Sequence, residues 1–312
     1  MESITVIGPC YNEEQNIDDF VSRTIKILEK INLNYKIFLV DDGSQDNTWE
    51  KILSHSKKNN QIKGIKLTRN FGHQNAIMAG IKFCESDYVL LSDVDLQDPP
   101  ELLEEMYNKI TENKLNVIFA KRVKSNENFF KKLTSIIFYK IYNLISHTKI
   151  VERASDFVLF NKKVLKEIQN IKEHDIFLRG LIPWLGFNSG YVEFERKNRK
   201  KGSTGWSIYK MVNFALTAFL SYSSYPMRFS FILSFLCIMF FFILSIYAIY
   251  SYLINDIVKG WTSLFLIISF FNTIVFFILG VMGEYVGRIY LMNKNKPLFI
   301  IDEISSENEN NK

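Results

Sequence analysis

The stretch LLSDVDLQDPPEL (90–102) ends an apolar run, sets the carboxylates Asp93, Asp95 and Asp98 within six positions, and places two prolines directly after them. The chain carries a net charge of +5, so this local excess of negative charge calls for a cation. Asp93 and Asp95 flank one residue, and at an extended strand end side chains two apart point the same way. The amide oxygen of Gln97 comes next in that register. Two carboxylates and an amide oxygen make a hard-oxygen set that suits Mg²⁺ or Mn²⁺, with substrate phosphates completing the shell.

Elements that could position such a set are legible upstream and downstream. Apolar runs at 4–9, 36–42, 62–67, 88–93 and 116–121 alternate with helical patterns at about 13–30, 46–58, 72–84 and 100–112. In the first helix Ile17, Phe20, Val21, Thr24 and Leu28 fall on one face. Continuous apolar strands alternating with helices predict an α/β fold with a mostly parallel sheet covered on both faces. Ligands of such sheets bind beyond the carboxyl ends of the strands. Four polar clusters sit there: PCYNEE, DDGSQD, TRNFGHQN and DVDLQD. Ser44, Asp46 and Asn47 are also ordinary capping residues, so one cluster alone says little; four on one edge predict a binding site. No GxGxxG follows the first strand and no GxxxxGK[ST] occurs. A phosphate here would therefore lean on a metal rather than on a glycine cradle.

The remainder is apolar. No charged residue occurs from Phe229 to Asn255, nor from Gly260 to Gly283. Each run exceeds the ~20 residues that cross hydrocarbon as a helix. Basic residues flank the pair (Arg196 to Lys201, Lys210 and Arg228 before; Arg288, Lys294 and Lys296 after). The positive-inside rule puts both flanks in the cytoplasm. FFKKLTSIIFYKIYNLI (129–145) has a lipid-facing helical stripe, and Trp206 to Tyr222 forms a second interfacial candidate. The start lacks the pattern of a secretory signal. Cys10, Cys84 and Cys237 form no CxxC, consistent with a reduced compartment. The polar tail DEISSENENNK has no apolar face and is expected to be disordered.

PCYNEEQNI, VDDGSQDNT, NFGHQNAIMAG and DVDLQDPPELL, in that order and spacing, resemble the inverting family-2 glycosyltransferases. Within them the chain is most similar to the polyprenyl-phosphate glycosyltransferases, which include dolichol-phosphate mannose synthase and bactoprenol glucosyltransferases. FLRGLIPWLGF and FERKNRKKGSTGWSIYK resemble acceptor-side segments of that group, and the likeness spans about residues 4–290. It implies a GT-A-type catalytic domain over 1–200, an interfacial juxtamembrane helix over 201–228, two transmembrane helices over 229–283 and a cytoplasmic C-terminal segment over 284–312. The implied place is the inner (plasma) membrane, multi-pass, with the catalytic domain and both termini cytoplasmic.

Roles follow from the resemblance residue by residue. Pro9, Tyr11, Glu13, Asp41 and Asp42 would hold the nucleotide base and ribose, with Asp93 facing ribose or metal. Asp95 and Gln97 would complete the Mg²⁺ or Mn²⁺ site. Arg122 would meet phosphate. Asp156 would act as base or acceptor organiser. Lys131, Arg179, Arg196, Arg199 and Lys201 would serve the acceptor phosphate. Many relatives read GxSK before an aromatic residue, where this chain has GSTGW (202–206); the lysine is replaced by Gly205, and Lys200 and Lys201 are the nearby charges.

The reaction so implied moves a sugar from a nucleotide diphosphate, UDP ahead of GDP and glucose as the first guess, to a polyprenyl phosphate at the lipid bilayer, inverting the anomeric carbon. A phosphate monoester nucleophile, with a second pKa of about 6, is already largely anionic at neutral pH, so Asp156 suits an organising role better than that of a strong base. No nucleic-acid partner is expected, and a homo-oligomer is left open. A processive polysaccharide synthase would need more spans and a QxxRW element, and no glutamine follows Gln169. A non-catalytic scaffold would have no use for Asp41, Asp42, Asp93, Asp95 and Gln97 together.

Overall fold

A computed structural model of the chain describes residues 2–122, 154–171, 176–195, 260–293 and 296–305, together with Leu236, Met239, Phe240, Phe242, Ile243 and Ile246. Lys131, Arg196, Arg199 and Lys201 lie outside the described residues, as do both expected interfacial helices and the GSTGW stretch. The chain divides into two compact units, 1–211 with 297–312, and 212–296.

The first unit is a mixed α/β sheet. Its parallel core is β1 (Ser3–Cys10), β2 (Asn34–Asp41), β3 (Ile62–Leu67) and β4 (Tyr88–Leu91). Linking helices are α1 (Ile17–Ile31), α2 (Thr48–Lys58) and α3 (His73–Lys82), with α4 (Leu102–Glu112) leading on to β5 (Val117–Arg122). Each falls within a few residues of the sequence expectation. The predicted face of α1 is the buried one: Ile17, Phe20, Val21, Thr24 and Leu28. Phe20 is fully buried, a burial that contributes about 1.5–3 kcal/mol.

The far side of the sheet departs from a parallel reading. The strand β6 (Ala154–Asn161) inserts antiparallel between β4 and β5, and β7 (Ser189–Phe194) then pairs parallel with β5. Between them run α5 (Lys162–Asn170) and α6 (Leu178–Trp184). Antiparallel register sets Leu91 opposite Val158. Two residues past Leu91 is Asp93, and two residues before Val158 is Asp156, so the register alone brings these distant aspartates to one edge.

The expectation of a disordered tail is corrected over its first residues. Ile301–Ile304 forms β8, antiparallel to β3, and completes the order β7-β5-β6-β4-β1-β2-β3-β8. Ser305 is buried, and its Oγ accepts a hydrogen bond from Gly64 N at 2.8 Å. The Trp49 indole donates to Glu303 Oε2 at 3.1 Å. These bonds satisfy an edge that would otherwise be open for pairing, so a short, half-polar segment folds although it has little apolar surface of its own.

In the second unit, α7 runs from Trp261 to Asn293, a length of about 50 Å at 1.5 Å per residue. It extends past the expected span end at Gly283. Its window Phe270–Gly287 is long and apolar enough to cross a membrane, the one such helix among the described residues. Phe276, Val286 and Tyr290 are each more than 60% exposed, and this much apolar surface needs a cover. Phe240, from the first apolar run, packs against Phe270 and Phe271 at ring-centroid distances of 6.5 and 6.1 Å.

Candidate active site

Two loops at the carboxyl edge of the sheet are stitched to each other. Asn12, at φ 54°, donates its N–H to Ser44 Oγ and accepts from Gln45 N through Oδ1, both at 2.9 Å. Glu13 N donates to Thr48 Oγ1, and Glu14 accepts from the backbone and side chain of Asn47. Asn12, Glu14, Ser44, Asp46 and Asn47 therefore serve as scaffold. Tyr11 is left 44% exposed at the rim. Pro9 is buried inside β1. Glu13 is half-buried and holds Asn16 through Oε2. Gly43 adopts φ 71°, and a Cβ there would lie 2.5 Å from the Arg69 backbone; only glycine fits this turn.

The paired aspartates at the end of β2 differ. Asp41 is fully buried; Oδ1 accepts from Ser44 N at 3.0 Å, and Oδ2 has no hydrogen-bond partner among the described residues. Burial raises its pKa, partly countered by the bonds from Ser44. Asp42, also buried, spends both oxygens on backbone: Oδ1 accepts from Phe71 N at 2.7 Å and Oδ2 from Gly72 N at 2.9 Å.

The opening carboxylate cluster is not the extended strand end that the spacing predicts. β4 stops at Leu91, Val94 and Asp95 lie in a turn, Leu96 has φ 57°, and Asp95 Oδ1 accepts from Gln97 N at 3.1 Å. The alternation nevertheless survives. Val94, Leu96 and Asp98 are buried, while Asp93, Asp95 and Gln97 are partly open. Asp98 turns inward and pairs with Arg122 Nη2 at 3.2 Å. Arg122 Nε is buried and without a partner among the described residues.

Asp156, one-fifth exposed, is gripped by Arg179 from α6, Nε to Oδ1 at 2.7 Å and Nη2 to Oδ2 at 2.8 Å. Sequence reasoning gave both residues but not their pairing, which depends on the unforeseen β6. His73, from the polar cluster TRNFGHQN after β3, stands between Asp93 and Asp156. Its Nε2 is 3.4 Å from Asp93 Oδ1 and 3.9 Å from Asp156 Oδ2. The sequence signal for it was its place in the polar cluster after β3. His55, in contrast, binds Asp18 at 2.8 Å on the surface.

Charge balance defines what the site can accept. Arg122 offsets Asp98 and Arg179 offsets Asp156. Burial, with the neighbouring carboxylates Asp156, Asp95 and Asp98, pushes the Asp93 carboxyl up to about 6, against the pull of His73. Burial would raise Asp156 as well, but the Arg179 guanidinium outweighs it and holds this carboxyl below the ordinary range. Asp93 and Asp95 are partly open hard-oxygen donors of the kind that suits a divalent cation. His73, Asp93 and Asp156 also offer ligand atoms within 4.8 Å of one another.

Residues 5–169 match the model of glycosyl transferase family 2. The chain belongs to this family. Similar curated proteins include an uncharacterized glycosyltransferase, sll0501, of Synechocystis, 33% identical over 96% of this chain and 95% of that protein. The uncharacterized glycosyltransferase YkcC of Bacillus subtilis is 36% identical over 96% and 93%. A prophage bactoprenol glucosyl transferase homolog of Escherichia coli is 31% identical over 96% and 99%. As a family 2 glycosyltransferase, the protein is an enzyme of sugar transfer, and its mostly parallel mixed sheet is the GT-A-type arrangement.

Proposed function

We propose that this family 2 glycosyltransferase moves a hexose, glucose first among the candidates, from a nucleoside diphosphate to a polyprenyl phosphate at the cytoplasmic leaflet, with inversion. The observation that carries the reading is the meeting of two unlike halves at His73: the partly open carboxylate Asp93, two residues before Asp95, and Asp156, which holds Arg179 in place. One half suits a cation with its diphosphate, the other an anionic acceptor. The relative named as a bactoprenol glucosyl transferase homolog supports a lipid acceptor.

Asp93 and Asp95, with Gln97 nearby, would hold Mg²⁺ or Mn²⁺, which supplies charge neutralisation at the leaving diphosphate. Asp41, whose buried Oδ2 has no hydrogen-bond partner among the described residues, suits an N–H of the base, uracil ahead of guanine, and exposed Tyr11 offers a face for stacking. Asp156 remains ionised beside Arg179, so it orients the guanidinium; a planar fork is well matched to phosphate. The acceptor needs little help from a base because it is already anionic. Arg122 stands behind the site through Asp98, while Lys131, Arg196, Arg199 and Lys201 supply further positive charge for the acceptor.

Two features support a membrane hairpin. Phe240 packs on α7, and β8 belongs to the same sheet as β7. Strands of one sheet lie in one compartment, so the intervening chain crosses a bilayer an even number of times. With the basic flanks, this favours two spans and a cytoplasmic catalytic unit.

The test is direct. Purified full-length protein is incubated with labelled UDP-glucose, UDP-N-acetylhexosamines or GDP-mannose, undecaprenyl phosphate, and Mg²⁺ or Mn²⁺. Organic-extractable label from a uridine donor is the expected result; none from any donor overturns the reading.

A further inference from the structure

The first turn of α3 touches both halves of the site. His73 reaches Asp93 and Asp156. Gln74 Oε1 accepts from Leu178 N at 3.1 Å, next to Arg179. This turn has no freedom to choose its own position. Gly72 begins it at φ 98°, a conformation that favours glycine, and the preceding peptides are clasped by both oxygens of Asp42. A buried carboxylate whose two oxygens each hold a backbone N–H has little left to offer a nucleotide.

We propose that His73 is a positioning residue that keeps the Asp93 and Asp156 carboxylates at a fixed separation, and that Asp42 acts through it by holding the Phe71–Gly72 turn. Two carboxylates, one just past β4 and one in β6, repel each other. One imidazole edge between them fixes the gap into which donor and acceptor must fit, and an error of about 1 Å in such a gap can cost about 100-fold in rate. The inference rests on the donor and acceptor halves proposed above.

The experiment compares wild type with Asp42→Asn, His73→Ala, His73→Gln and the Asp42→Asn/His73→Ala double variant. An asparagine can accept at only one of its two side-chain heads, so Asp42→Asn frees one N–H of the turn. Hydrogen exchange at Phe71 and Gly72 is expected to quicken in it. Each of Asp42→Asn and His73→Ala is expected to lower kcat about 10- to 100-fold with donor KM within about twofold. The double variant should be no worse than His73→Ala alone, because the two act in series, and His73→Gln should recover part of the rate. Should Asp42→Asn fail to fold, Gly72→Ala takes its place. A Cβ there meets nothing within 4 Å, so it disturbs the backbone alone and should give the same kcat loss.

Several results would overturn the proposal. A large rise in donor KM for Asp42→Asn would make it a nucleotide contact. Additive losses would separate it from His73. A changed metal-concentration dependence at unchanged kcat in His73→Ala would make the histidine a ligand. Unchanged exchange at Phe71 and Gly72 also overturns it. Wild-type protein inactive on every donor would sink the functional reading instead, leaving exchange to decide whether Asp42 holds the turn.

Discussion

Arg179 and Asp156 meet through two parallel hydrogen bonds, at 2.7 and 2.8 Å, between a short helix and an antiparallel strand. The pair fixes which way the guanidinium fork points. Asp156→Asn keeps the shape but weakens the charge-assisted bonds, worth about 1.5–3 kcal/mol each to a charged group. We expect transfer to fall at least about 100-fold, with lower resistance to urea. Arg179→Lys retains charge without the fork and should raise KM for the lipid phosphate more than KM for the donor. Equal effects on both constants would contradict the assignment, and steady-state kinetics at varied acceptor decides it.

Asp93 sets a pH dependence. Its folded pKa of about 6 lies above the ordinary carboxylate value, so the folded, metal-free protein binds this proton more tightly than the unfolded chain does. Ionised Asp93 therefore costs stability at neutral pH, and the cost is relieved as pH falls through 6 toward 4. Buried Asp41 and Asp42 shift in the same direction. Unfolding in EDTA should show stability rising over that window until other groups intervene. Asp93→Asn should stabilise metal-free protein at pH 7.5, by on the order of 1–2 kcal/mol, while abolishing transfer. Cation affinity should run the other way, weakening below pH 6 as the proton competes; isothermal titration with Mn²⁺ and nucleotide reads it.

Asp95 is partly open, and its Oδ1 accepts from Gln97 N. Asp95→Ala should reduce transfer below about 1% of wild type while the protein still folds in detergent. Chelation of the wild type should do the same and be reversed by adding Mg²⁺ or Mn²⁺. Full metal-dependent turnover in Asp95→Ala would remove it from the cation site.

Ser305 and Gly64 make a stability test remote from the chemistry. Ser305→Ala leaves a buried N–H at Gly64 without its acceptor, a cost of about 1–3 kcal/mol. Gly64→Ala should cost more, because a Cβ would come within 2.5 Å of Ile52 and 3.0 Å of Trp49. Thermal unfolding in detergent is the measurement, and donor KM should hardly move in Ser305→Ala.

The parallel core was legible because β1 to β5 are continuous apolar runs, whose burial on both faces leaves an unmistakable pattern. The inward face of α1 was legible for the same reason at helical spacing. The open side of Asp93, Asp95 and Gln97 could also be read, although the backbone achieves it through a turn. The fate of Asp98 could not, because its partner Arg122 depends on tertiary proximity. Nor could the insertion of β6, since apolar periodicity marks a strand without stating its neighbours. β8 was missed because Ile301–Ile304 is a short edge segment with two polar residues at its centre, so its folding depends on β3 and not on its own composition. His73 was legible only as a member of the polar cluster after β3, and its closeness to Asp93 and Asp156 emerged only when β4 and β6 were set side by side.

The last strand of the catalytic sheet is encoded after the long apolar stretch. A nascent chain therefore offers β3 with a bare flank throughout synthesis of residues 68–300, and β3 gains its neighbour only once the greasy segment has already cleared the ribosome. Completion of the sheet thereby waits for residues encoded beyond the apolar stretch, so a chain that stalls before Ile301 leaves the β3 edge bare.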